Sequence, residues 1–101
     1  DAKGLKQGVW RKYYPNDTLF SESTFKNGKR TGIFKTNFKN GKAQSMVKYR
    51  GNTNVSDGTF YFESGKVKGK GKYIDQDKDS VWTYYNEEGK VERVYLCLKV
   101  L

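Results

Sequence analysis

Turn-forming positions recur every 24 residues along this chain, and that period restricts the folds open to it. Asp17 in PNDT, Gly41 in KNGK, Gly65 in ESGK and Gly89 in EEGK are spaced by 24, 24 and 24 residues. Eight residues after each come Phe25, Tyr49, Tyr73 and Cys97; seven before come Trp10, Phe34, a slipped Phe60 and Trp82. A fixed period in the twenties marks a repeat architecture in which each unit is one supersecondary element. Residues 8–32, GVWRKYYPNDTLFSESTFKNGKRTG, give the fullest copy: an aromatic strand, a turn, a second strand, and an Asn-Gly turn into the next start.

Only 35% of the 101 residues are hydrophobic, yet 16% are aromatic, which argues against disorder despite a mean hydropathy of -0.94. Eleven glycines, one proline and no long helical period point to an all-β chain rich in turns. The formal charge of +9 favours acidic partners without specifying a fold. The chain has no histidine, the usual general base and zinc ligand, and its one cysteine, Cys97, cannot form an intramolecular disulfide. No apolar run is long enough to span a bilayer as a helix. The sequence opens at Asp1 rather than Met, so an upstream segment is expected. A removed signal peptide would place the protein in the cell envelope or outside the cell; otherwise the cytoplasm is expected.

Each unit reads as a hairpin. Asn40-Gly41 between apolar runs predicts a two-residue type I′ turn, with Asn16-Asp17, Ser64-Gly65 and Glu88-Gly89 in the same place. A two-residue loop in every unit sets Tyr14 opposite Leu19, Phe38 opposite Ala43, Phe62 opposite Val67 and Asn86 opposite Val91. Farther from the turns it sets Trp10 opposite Ser23, Phe34 opposite Val47, Gly58 opposite Gly71 and Trp82 opposite Tyr95. Strand alternation then puts twelve of the sixteen aromatics on one face, leaving Tyr13, Phe20, Tyr61 and Tyr85 on the other. Ser21, Ser23, Ser45, Gly69 and Gly71 become seats for neighbouring rings, and a Gly opposite a ring lets the ring lie across the strand.

The pattern G-x-W-x-x-Y-Y, a turn, a hydrophobic residue and then Y/F-x-N-G-K-x-x-G resembles the bacterial variant of the MORN (membrane occupation and recognition nexus) repeat, including the YwqK-type "antitoxin" proteins. It stands here as GVWRKYYPNDTLFSESTFKNGKRTG, GIFKTNFKNGKAQSMVKY, GTFYFESGKVKGKGKY and VWTYYNEEGKVERVY. The resemblance implies tandem β-hairpins in one elongated, twisted antiparallel sheet, with no catalytic residues. Residues 1–7 form a polar lead-in, and residues 8–101 one repeat domain with units 8–31, 32–57, 58–80 and 81–101. GTFYFESGKVKGKGKY also resembles choline-binding cell-wall repeats, but those run nearer 20 residues and carry a Gly-Trp that this chain lacks.

Sites for chemistry are few. Asp75, Asp77 and Asp79 begin like a calcium loop, but Ser80 and Asn86 occupy the positions that need Gly and Glu, so a polar inter-repeat turn is expected. Glu87-Glu88 are adjacent turn residues that diverge, and Cys97 has no His to activate it. No enzyme activity, metal or cofactor is expected. Lys66, Lys68, Lys70 and Lys72 alternate on one strand and predict a basic stripe on the polar face, open to anionic lipid or cell-wall polymer. Nucleic acid is disfavoured, because the rings that would stack on bases lie on the opposite face. Trp10, Tyr14, Trp82 and Tyr84 are expected to stay partly open, as a groove of rings that suits a peptide or a sugar. The terminal VERVYLCLKVL, apolar on both faces, predicts a homodimer through residues 91–101 or a continuation of the array. The chain thus reads as a protein-interaction module, antitoxin-like or an envelope scaffold, with anionic lipid or cell-wall polymer, held by the lysine-rich face or the aromatic groove, as the alternative ligand.

Overall fold

The computed structural model describes residues 4–51, 53–75 and 77–97. Among these residues eight strands follow one another: β1 (Gly8–Tyr13), β2 (Leu19–Lys26), β3 (Lys29–Asn37), β4 (Ala43–Tyr49), β5 (Val55–Tyr61), β6 (Val67–Ile74), β7 (Asp77–Tyr85) and β8 (Val91–Cys97). They form one sheet in sequence order, each strand antiparallel to the next. The molecule measures 48 × 43 × 17 Å, one sheet thick. A single layer has no second apolar surface to close over it, and Trp82 is the one fully buried large side chain among the described residues.

Away from the turns the register is the one the repeat predicts: Trp10 faces Ser23, Phe34 faces Val47, Gly58 faces Gly71 and Trp82 faces Tyr95. The turns differ. Tyr13 pairs with Leu19, Asn37 with Ala43, Tyr61 with Val67 and Tyr85 with Val91, each through a register shift. Tyr14 N donates to Thr18 O and Asp17 N donates to Tyr14 O, a pattern repeated at Phe38, Phe62 and Asn86. Positive φ falls on one loop residue only: Asp17, Gly41, Gly65 and Gly89. Each hairpin therefore has a three-residue loop, a type I turn closed by a left-handed bulge residue, in place of the expected type I′ turn. Pro15 carried the signal, since its fixed φ suits the second position of a type I turn. The type I′ turn occurs instead at Asn27-Gly28, where both φ values are positive (52° and 80°) and Lys26 pairs with Lys29.

The 24-residue units alternate, giving a longer period of 48. Shifted by 48 positions, β2, β3 and β4 coincide end for end with β6, β7 and β8. The β2–β3 and β6–β7 ladders each skip register once, between Glu22 and Thr24 and between Lys70 and Lys72, with Gly32 and Ser80 in the left-handed region. The β4–β5 ladder runs unbroken, because a longer loop after Tyr49 takes up the same slack. Unit three is thus not slipped: Gly58 stands where Trp10, Phe34 and Trp82 stand, and Phe60 belongs to the row of Thr36 and Tyr84.

Candidate functional site

The rings gather where strands offer no side chain. The indole of Trp82 lies across Gly71 and reaches Gly58: a Cβ on Gly71 would sit 2.3 Å from Trp82 Cδ2, and one on Gly58 would sit 3.2 Å from Trp82 Cη2. Tyr84 covers Gly69 in the same way, at 2.7 Å. Trp82 Nε1 donates to Lys72 O at 2.9 Å, so the polar end of the indole is satisfied. Around it, Tyr73 lies edge-on at 4.9 Å and Phe60 at 6.2 Å, and Tyr84 leads on to Tyr95 at 5.6 Å. Burial among these rings pushes the Tyr73 phenol above its usual range. Ser21, Ser23 and Ser45 are buried on this face, and Ser45 Oγ shares a hydrogen bond with Thr36 Oγ1 at 2.6 Å. Gly8 and Gly32 are different: nothing lies within 4 Å of a Cβ there, and their role is the positive φ of 77° and 67°.

Cations sit over the same rings. Lys78 Nζ lies 4.9 Å from the Trp82 centroid and 5.4 Å from that of Tyr84, and donates to Tyr84 Oη at 2.7 Å. That hydrogen bond raises the Lys78 ammonium above its ordinary value. Arg30 stands 4.4 Å over Phe34, and Lys6 stands 5.0 Å over Trp10. Lys6, Arg30 and Lys78 each precede their ring by four residues and occupy one position of the repeat. In unit three that position is Asn54 and the ring is Gly58, so cation and ring are lost together. Reading the units for rings alone missed this pairing; a basic residue four positions before each ring was its signal.

The expected site residues separate. Trp82 is fully buried rather than partly open. Trp10, 48% exposed, belongs to β1 at one end of the sheet and Tyr84 to β7 near the other. Tyr14 is half-buried and tethered, its hydroxyl donating to Asn37 O at 2.8 Å. The lysine stripe is broken. Lys66 Nζ donates to Glu87 O in the next turn. Lys68 is the extra residue of its bulge and lines the same hollow as Trp82 and Tyr84, while Lys70 leans over Tyr85. Lys72 is half-buried between Asp57 and Asp79 on the neighbouring strands. Phe20 sits on the corresponding bulge of unit one and joins Tyr14 at 5.0 Å, not the polar face.

The polar face is organised by two carboxylates. Asp57 accepts two bonds from Arg50, at 2.7 and 2.8 Å, which hold its carboxyl below the usual range; Lys72 and Lys48 add to this. Glu22 accepts from Arg11 at 2.8 Å and is likewise lowered. Among the described residues no three acidic or thiol groups converge as metal ligands would. Asp75 forms part of a turn, its Oδ1 accepting from Asn54 at 2.7 Å.

A concavity of about 790 Å³ lies over β6, β7 and β8 and has Phe62, Tyr84 and Tyr95 among its rings and Lys68, Lys78 and Arg93 among its cations, with Glu92 as a carboxylate. On β8, Val94 (57% exposed) and Leu96 (69% exposed) leave apolar surface uncovered, whereas Leu98 and Val100 lie outside the described residues. No curated protein sequence and no solved structure matches the chain. Two of its segments, residues 6–27 and 57–75, taken from the β1–β2 hairpin and its counterpart β5–β6, match the MORN repeat variant family.

Proposed function

We propose that this chain is a non-catalytic repeat-sheet module that binds a protein, and that the bound segment is acidic, carries apolar side chains and lies along the β6–β8 end of the ring face. The observation that carries this is the hollow itself, in which rings and cations are interleaved rather than kept to opposite faces. Rings supply apolar area with little side-chain entropy to lose, and cations at a rim steer an acidic partner. The biological setting we propose is that of the bacterial variant of the family, as an antitoxin-like or envelope-scaffold component. An NMR titration with an acidic aromatic-containing peptide and with a basic peptide of equal length tests the reading. Shifts at Lys78, Tyr84 and Tyr95 with the acidic peptide alone are expected; shifts confined to Lys70 and Lys72, or none, would overturn it.

Anionic lipid or cell-wall polymer on the lysine face is the second reading, favoured by the net charge of +9. The carboxylates of Asp57 and Asp79 beside Lys72 weaken it. Sedimentation with anionic and with neutral vesicles separates the two, since only the lipid reading gives salt-sensitive binding to the anionic set.

A further inference from the structure

The two halves of the chain are joined by an interface that its two free edges can reproduce. β4 and β5 meet in an unbroken ladder: Ser45 with Phe60, Met46 with Thr59, Val47 with Gly58, Lys48 with Asp57 and Tyr49 with Ser56. β8 is the 48-residue counterpart of β4, and β1 is the counterpart of β5. Among the described residues each is an edge strand with a neighbour on one side only. Residues 4–7 run along the β2–β3 turn, where Gly28 N donates to Lys6 O and Gln7 bonds Asn27, and Gln7 O accepts from Trp10 Nε1.

We propose that β8 of one copy pairs with β1 of a second copy in the register of the β4–β5 joint, continuing the meander head to tail. That register sets Leu96 opposite Val9 of the second copy and Tyr95 opposite its Trp10. These four side chains are 69%, 51%, 47% and 48% exposed in the single chain. Their apolar surface would be covered in two cross-strand pairs, one on each face, and aromatic or β-branched pairs of this kind are the stabilising unit of a sheet. Cys97 would face the small Gly8, and the ring row of Tyr95 would continue through Trp10. Arg93 would face Lys12, a like-charge pair. With a net charge of +9 on each copy, association is therefore strengthened by added salt. The contact is heterologous, so assembly continues beyond a dimer. The contact uses Tyr95 and Leu96, which also line the hollow, but not Lys78, so Lys78→Met weakens a ligand there and leaves the pairing of copies intact.

Light scattering at increasing protein and salt concentration, combined with complementary blocked variants, tests this. Wild type is expected to grow past the dimer, more so at high salt. Leu96→Lys and Val9→Lys are each expected to be monomeric alone and to give a 1:1 dimer, and nothing larger, when mixed. Both positions are exposed, and the near-UV spectrum of the buried indole reports that folding is kept. Should a lysine variant lose that spectrum, Val9→Thr and Leu96→Thr carry the test, with association weakened about tenfold for each. A wild type that stays monomeric throughout would sink the proposal. So would Val9→Lys dimerising alone, which indicates a symmetric β8–β8 contact, or Leu96→Lys dimerising alone, which indicates a β1–β1 contact.

Discussion

Trp82 and Gly71 occupy each other's space: the indole ring lies where a side chain on Gly71 would begin, 2.3 Å from its Cδ2. A methyl group there must push a fully buried indole out of its seat, along with its bond to Lys72 O. Gly71→Ala is expected to lower stability by about 2–3 kcal/mol, the upper part of the range for overpacking a filled core. At Gly58 the nearest atom is Tyr73 Cε2, the far part of a half-buried ring that can turn aside, so Gly58→Ala should cost less. Urea unfolding of both variants checks the order.

Asp17 carries the left-handed conformation that glycine carries at Gly41, Gly65 and Gly89. Replacing it relieves a steric cost but frees the unfolded chain. Asp17→Gly should stabilise by about 0.5 kcal/mol, and Gly41→Ala should destabilise by about 1 kcal/mol. Thermal midpoints of the two would move in opposite directions.

Lys78 joins two rings through its ammonium and one hydrogen bond. Lys78→Met keeps the apolar stem and removes both interactions, for a loss of about 1 kcal/mol. Tyr84→Phe removes the hydrogen bond alone and should lose less. A double-mutant cycle on the urea midpoints measures their coupling.

Stability should fall at alkaline pH. The folded values of Tyr73 and Lys78 are raised above 10.0 and 10.5, so their contributions are whole below those values and are lost as pH rises through the raised ones. Urea midpoints should hold steady up to about pH 9.5 and then decline, less so in Lys78→Met.

The acid side should be nearly flat by comparison. Asp57 is lowered beneath 3.8, so its contribution is present above that value and is lost as pH falls through the depressed one. Its side chain is 44% exposed, so solvent screening keeps the pair with Arg50 weak. Asp57→Asn should accordingly shift the urea midpoint only slightly at neutral pH and not at all in strong acid.

Much of the architecture was legible from spacing. Mid-strand pairs such as Phe34 with Val47 and Trp82 with Tyr95 follow once turn positions and alternation are known, because both are local properties. The hairpin ends were misread by one residue. Asn40-Gly41 and Asn27-Gly28 look alike in sequence yet adopt different turns, and the shift turned Lys68 and Phe20 toward the rings. The site was less legible still, since Lys6, Arg30 and Lys78 are unremarkable lysines and arginines until the ring four residues on is seen beneath them.

The sequence by itself determined the period, the meander and the face on which most rings lie, since all three follow from the alternation of side chains and the placing of turns. The tertiary structure alone decided which rings are buried. Trp10 and Trp82 hold the same position in the repeat, but Trp10 is on an edge strand beside Ser23, whereas Trp82 crosses Gly71 and Gly58 on two successive strands. A ring is buried by what lies one and two strands away, and those neighbours are fixed only when the sheet has formed.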